Sequence, residues 1–183
     1  MTGTNPSVHT GNLSRPVEQV SWYDASNYCR LLTQQEFAAR RIPAGCVFRL
    51  PTEAEWEYAC RAGTTTRCYY GDDPGYTNFT DYGWCDTNSG GITHPVGQKL
   101  PNPWGLYDLH GNVAEWVQDF YALHPGGIAL DPQGPATGSD RVSKGGPWLR
   151  PASYCRSAFR IDLPPGAVLD GAGFRVVLAP GQP

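Results

Sequence analysis

RVSKGGPWLRPASYCRSAFRIDLPPGAVLDGAGFRVV, from Arg141 to Val177, is the stretch on which the reading of this 183-residue chain turns. Its ends and its middle differ in character. Gly145-Gly146-x-Trp148 at the start and Gly173-Phe174-Arg175-Val176-Val177 at the end read as strand ends and tight turns. Glycine admits positive φ there, while Phe and Val suit a buried pleated face. Between them Leu149, Arg150, Pro151, Tyr154, Phe159, Ile161 and Leu163 follow neither a helical nor an alternating period. On residues alone two readings are open: a core hairpin with a long loop, or a rigid frame holding out an aromatic- and arginine-bearing surface.

Upstream, Val17 to Val20 is expected as a short strand and Ser21 as the N-cap of a helix, with Asp24 completing a box-like arrangement. Trp22, Ala25, Cys29, Leu31 and Leu32 build its apolar face, and it fades before Pro43. Val47 to Leu50 is a second short strand. Pro51-Thr52-Glu53-Ala54-Glu55-Trp56 is the cleanest local signal: Thr52 caps, Glu55 closes a capping box, and Trp56 and Ala59 begin a buried stripe that stops at Gly63. Glu53, Glu55 and Glu57 are read as capping and solvated residues, not as a catalytic pair. The long Gly/Asp/Asn/Tyr-rich run from Thr64 to Pro103 is expected to be interrupted by short strands, His94 to Gly97 among them. Trp104 to Trp116 is a compact turn running into a strand, and Tyr121 to Ser139 is a Pro/Gly loop.

A chain of this length makes one domain, 1–183. Twenty-two glycines and 17 prolines against 17% charged residues describe a loop-rich ordered fold. A net charge of −3, without a Lys/Arg cluster, argues against nucleic acid as partner. No apolar run reaches membrane-spanning length and no signal segment opens the sequence, so the default expectation is a cytoplasmic protein without membrane insertion. The six cysteines never stand as Cys-x-x-Cys and are expected to be reduced and half-buried. Ser157, His94 and Asp162 lack any nucleophile-elbow context and are not read as a triad.

Pro16-Val17-Glu18-x-Val20-Ser21-Trp22, Arg49-Leu50-Pro51-Thr52-Glu53-Ala54-Glu55-Trp56, Asn102-x-x-Gly105-Leu106-Tyr107-Asp108, Gly111-Asn112-Val113-x-Glu115-Trp116, Gly145-Gly146 and Gly173-Phe174-Arg175 stand in the order seen in one family. Together they resemble the formylglycine-generating-enzyme (sulfatase-modifying factor) domain over nearly the whole chain. The resemblance implies an α+β, C-type-lectin-like fold with two N-terminal helices and short irregular strands. Family domains usually carry a further segment before Thr4-Asn5-Pro6-Ser7, so an N-terminally truncated or minimal version is expected. The oxidase members hold copper through two cysteines that would fall at Arg150 and Cys155 here. One thiolate cannot hold a soft monovalent metal linearly, so copper and the oxidase chemistry are not expected. Gly111, Asn112, Val113 and Glu115, with His110 beside them, resemble a calcium site of carbonyls and one carboxylate. The alternative is a tight turn stabilised by its own Asn and Glu.

Gly145-Gly146-Pro147-Trp148, Cys155-Arg156-Ser157-Ala158-Phe159-Arg160 and Gly173-Phe174-Arg175-Val176 resemble more closely the variable proteins of diversity-generating retroelements. In those, Asn codons are randomised at adenines, which cannot yield Trp, Met, Lys, Gln or Glu. None of the five occurs from Leu149 to Ala172. The expectation is a non-enzymatic protein that binds a protein or cell-surface ligand through a variable region, 147–172. Its contact residues would be Trp148, Leu149, Arg150, Pro151, Tyr154, Phe159, Ile161, Asp162, Leu163 and Leu169, with Trp148 either core or the floor of the surface. The competing expectation is a formylglycine-generating oxidase or an inactive relative.

Overall fold

Capping chemistry sets the two longer helices of the computed structural model, which describes residues 3–124 and 126–181. Ser21 opens α1 (Trp22–Ala38) and Thr52 opens α2 (Glu53–Arg61), each through a complete capping box with Asp24 and Glu55. α2 ends in a left-handed Ala62, one residue short of the expected Gly63. A one-turn helix, α3 (Phe79–Tyr82), follows.

Among the described residues there are six short strands: β1 (Cys46–Arg49), β2 (Ala114–Phe120), β3 (Arg141–Lys144), β4 (Ile161–Leu163), β5 (Ala172–Phe174) and β6 (Val177–Pro180). The main sheet runs β4-β3-β2-β5, with β2 and β5 parallel, and β1 pairs with β6 in a separate two-stranded ribbon. β2 is the central strand and its residues are almost all buried. Trp116 packs on one side of it with Ala25, Cys29, Leu50 and Ala172, while Val117 joins Trp56, Cys60, Tyr69, Leu109 and Val142 on the other. The indole N–H groups of the two core tryptophans find acceptors, Trp116 on the Val20 carbonyl and Trp56 on Glu115.

Several sequence expectations are corrected. Val17 to Val20 is not a strand: Gln19 takes φ of +60°, and the segment is tied by single bonds from Glu18 N–H to Ser7 Oγ and from Gln19 N–H to the Leu169 carbonyl. His94 to Gly97 is not one either. The Asn112 side chain bonds both the N–H and the C=O of His94, so a side-chain amide stands in for a neighbouring strand. Between Thr64 and Pro103 the described residues form α3 and two isolated bridges rather than strands. The cysteines are free as expected but more deeply buried, with only Cys46 intermediate.

Glu53 and Glu57 are not simply solvated. Glu53 is buried and receives both forks of Arg160, at 2.7 and 2.8 Å. Lys144, fully buried, reaches Glu57 at 3.1 Å and Glu53 at 3.5 Å. Burying a cation requires such partners, and Lys144 and Arg160 come from far along the chain.

His110 is wholly enclosed and stacks on Tyr69 with ring centroids 4.4 Å apart. The Tyr69 N–H donates to its Nε2, which places the proton of the neutral ring on Nδ1. Burial lowers its pKa from 6.5 to about 4. Because the folded value lies below the unfolded one, this stability is complete above pH 6.5 and is lost as pH falls toward 4. Thermal melts across that window should show a loss of about 3 kcal/mol assigned to this ring. His110→Gln should be less stable at neutral pH but should lose less on acidification; equal pH slopes would contradict the assignment.

Candidate surface site

Gly146 is where the frame becomes the insert. β3 ends at Lys144, and Gly146 turns the chain at φ of +71°. A Cβ there would stand 2.7 Å from the Tyr154 carbonyl oxygen and 2.8 Å from Cys155 Sγ. Only glycine lets the 3-10 turn Ala152–Cys155 pack back onto the strand end. At the far end a Cβ on Gly173 would lie 2.3 Å from the Val17 carbonyl oxygen. Both ends of the insert are therefore clamped to backbone.

The structure places the expected contact residues in three groups. Trp148 is half-buried: its N–H donates to the Asn112 carbonyl, its Nε1–H to the Asp170 carbonyl, and its ring meets His9 edge-on. Leu149 and Leu169 are exposed near it along the insert's return. A second group is built on Arg150, Pro151, Tyr154 and Phe159. The Tyr154 and Phe159 rings lie 4.7 Å apart, with Arg150 5.7 Å from the Tyr154 ring and Arg156 5.4 Å from that of Phe159. Arg150 is exposed, its carbonyl held by the Asp86 N–H. The third group lies on β4. Asp162 is exposed, but Ile161 and Leu163 are half-buried and paired with β3, and Leu163 packs on the Trp116 cluster. Ser157, His94 and Asp162 do not converge: Ser157 is buried against Cys60, and His94 stacks on Trp84 at 3.7 Å.

The residues singled out for metals separate as well. The His110 ring faces Tyr69 and lies 4.0 Å from Cys60 Sγ, so it does not fit the calcium set. Val113 and Glu115 line a recess of about 430 Å³ with Asp108 and Arg175, and Gly111 adjoins it in the chain. Glu115 accepts from Arg175 at 2.8 and 3.0 Å and from Trp56 Nε1 at 2.7 Å. The Glu115 charge holds the Arg175 pKa above its ordinary value. Burial pushes the Asp108 carboxyl up. Two carboxylates thus share the recess with one guanidinium, which engages both oxygens of Glu115; hard oxygen donors of this kind are what a calcium ion would need there. Asp108 was not singled out from sequence, although it closes the Leu106-Tyr107-Asp108 motif. Cys155 packs with Phe79 and Cys85 in a buried cluster, and burial raises its thiol pKa well above the usual value. Cys85 is 70 positions earlier, so no spacing rule could pair the two.

A family model for the sulfatase-modifying factor enzyme 1-like domain matches residues 2–180. The chain belongs to this family. It is 37% identical to the formylglycine-generating enzyme of Bos taurus over 174 residues, covering 87% of this chain and 43% of that protein. It is 38% identical to the enzyme of Streptomyces coelicolor over 184 residues, covering 91% of this chain and 53% of that protein. The chain therefore spans about half the length of the curated relatives it matches. Among solved structures, Treponema denticola variable protein 1 superposes with a TM-score of 0.85 at 35% identity, covering 98% of this chain and 78% of that one. The α+β, C-type-lectin-like fold of the family is thereby shown.

Gly146→Ala should cost about 1–3 kcal/mol, through both the left-handed backbone and the contact with the 3-10 turn. Denaturant unfolding checks this, and an unchanged midpoint would mean that the turn is not clamped there.

Proposed function

We propose that this protein is a non-enzymatic display scaffold of the variable-protein type, which binds a protein or cell-surface ligand through the insert 147–172. The observation that carries the reading is the clamped, irregular insert with exposed Arg150 beside the half-buried rings of Tyr154 and Phe159 and with glycine closures at both ends. Aromatic and arginine anchors on a rigid support are suited to recognition with little ordering cost. The likeness to Treponema denticola variable protein 1 supports it. No helix among the described residues is long and apolar enough to cross a membrane.

Display and core duties separate experimentally. Replacing Leu149, Arg150, Tyr154 and Phe159 together should shift stability by no more than about 1 kcal/mol, since the first two are exposed and the two rings pack on each other outside the core clusters. Leu163→Ala, on the core side of β4, should cost about 2 kcal/mol or more. If the quadruple variant loses as much stability as a core truncation, the insert is structural and the display reading falls.

The second reading is a copper-dependent oxidase, favoured by the identity to formylglycine-generating enzymes and by the packing of Cys85 near Cys155. Against it, Arg150 stands where the partner thiolate of the resemblance would be, and both nearby thiols are buried. Calcium belongs to the first reading, held by Glu115 with the backbone oxygens of Gly111 and Val113 and with Asp108 added to the set. One titration series addresses both metals. Cu(I) should show no stoichiometric binding, whereas binding lost in Cys155→Ser and Cys85→Ser would revive the oxidase. Calcium should raise the melting temperature of the protein and not of Glu115→Gln; an equal response of the two would remove calcium from this site.

A further inference from the structure

A second recess lies between α2, β2 and the loop after Tyr121. It encloses about 870 Å³ and is lined by Ala54 and Tyr58 of α2, Asp119 of β2, Leu123 of the loop and Arg160 of the insert. Its charges balance. Glu53, Glu57 and Asp119 face Lys144, Arg61 and Arg160, three carboxylates against three cations. A site neutral in sum does not select an ion.

Hydrogen-bonding capacity nonetheless remains in it. Asp119 is 4% exposed, and its Oδ2 accepts from the Glu53 N–H at 2.7 Å, while Oδ1 is without a donor from another described residue. Burial, and the neighbouring Glu53 charge, push its carboxyl above the ordinary range. Arg160 spends three of its five N–H groups, two on Glu53 and one on the Ala122 carbonyl. One polar group that accepts and one that donates are thus left with capacity, both rigidly held.

The rim is aromatic. Tyr58 is 68% exposed and is braced edge-on by Trp104, itself 49% exposed, with ring centroids 5.1 Å apart. Edge-on bracing fixes the Tyr58 ring while leaving a face of it uncovered. A ring face beside convergent carboxylate and guanidinium groups, in a recess of this volume, matches an uncharged ligand that has an apolar face and hydroxyls along its edges. A pyranose ring has that form.

We propose that this recess is a saccharide-binding site, distinct from the insert's outer surface, in which a neutral sugar stacks on Tyr58 and hydrogen-bonds to Asp119 and Arg160. The site is tested by titrating the whole protein with a panel of neutral disaccharides (maltose, cellobiose, lactose), read by tryptophan fluorescence and saturation-transfer NMR. At least one should bind saturably. Tyr58→Ala should weaken that binding at least tenfold, as should Ala54→Phe, which fills the recess one helical turn from Tyr58 on the same wall. Tyr58 is a surface residue, so its variant should keep the wild-type melt and show that weakening is not unfolding. Asp119→Asn should weaken binding less than Tyr58→Ala, since an amide still accepts. Absence of binding across the panel, or binding that survives both Tyr58→Ala and Ala54→Phe, would overturn the proposal. The display reading would stand in either case, because it rests on the quadruple insert variant.

Discussion

Lys144 has no exposure to water, and its ammonium must therefore be neutralised inside the protein. It lies 5.6 Å from the centre of the Trp56 ring and is held by Glu57 and Glu53. Glu53 in turn holds Arg160, and its N–H is taken by Asp119. One charge layer thus joins α2, β2, β3 and the insert. Removing a single member would leave a buried charge without its partner, a loss of about 3–5 kcal/mol. A second carboxylate, Glu115, performs the same service lower in β2, joining Trp56 to Arg175. With these two carboxylates engaged, helix, sheet and C-terminal segment have a fixed relative placement.

What the sequence disclosed was local. Ser21 with Asp24 and Thr52 with Glu55 are three residues apart, so both helix starts could be read directly. The Gly145-Gly146 pair opening the insert was legible because the left-handed region leaves few other residues a choice, whereas Gly173 is required by its close approach to the Val17 carbonyl. Pairing was not legible. Glu53 meets Arg160 across 107 positions, and Asn112 replaces a strand partner for His94 across 18. Nothing in periodicity marks a glutamate as belonging to a buried layer when its partners are that distant. The motif order supplied the family, and the family supplied the fold.

The candidate surface was partly legible for a related reason. Irregularity located the insert, but irregularity cannot separate residues that point outward from those that turn back. Tyr154 and Phe159 are half-buried against each other and belong to no core cluster, whereas Leu163, equally half-buried, returns to the Trp116 cluster because β4 pairs with β3. Cys155 illustrates the same limit. It sits amid the displayed residues in sequence and yet is sealed beneath Gly146 in space.

The pairing of β5 with β2 and of β6 with β1 bears on biosynthesis. Ala114 waits for Ala172 and Cys46 waits for Pro180, so neither sheet is complete until the region after the insert has left the ribosome. Such distant contacts form late and slowly. A shift of reading frame anywhere in the insert would replace both closing strands, and the chain would remain open to proteolysis. The architecture therefore proofreads its own insert: a chain that holds its surface out in folded form has been translated in frame through it.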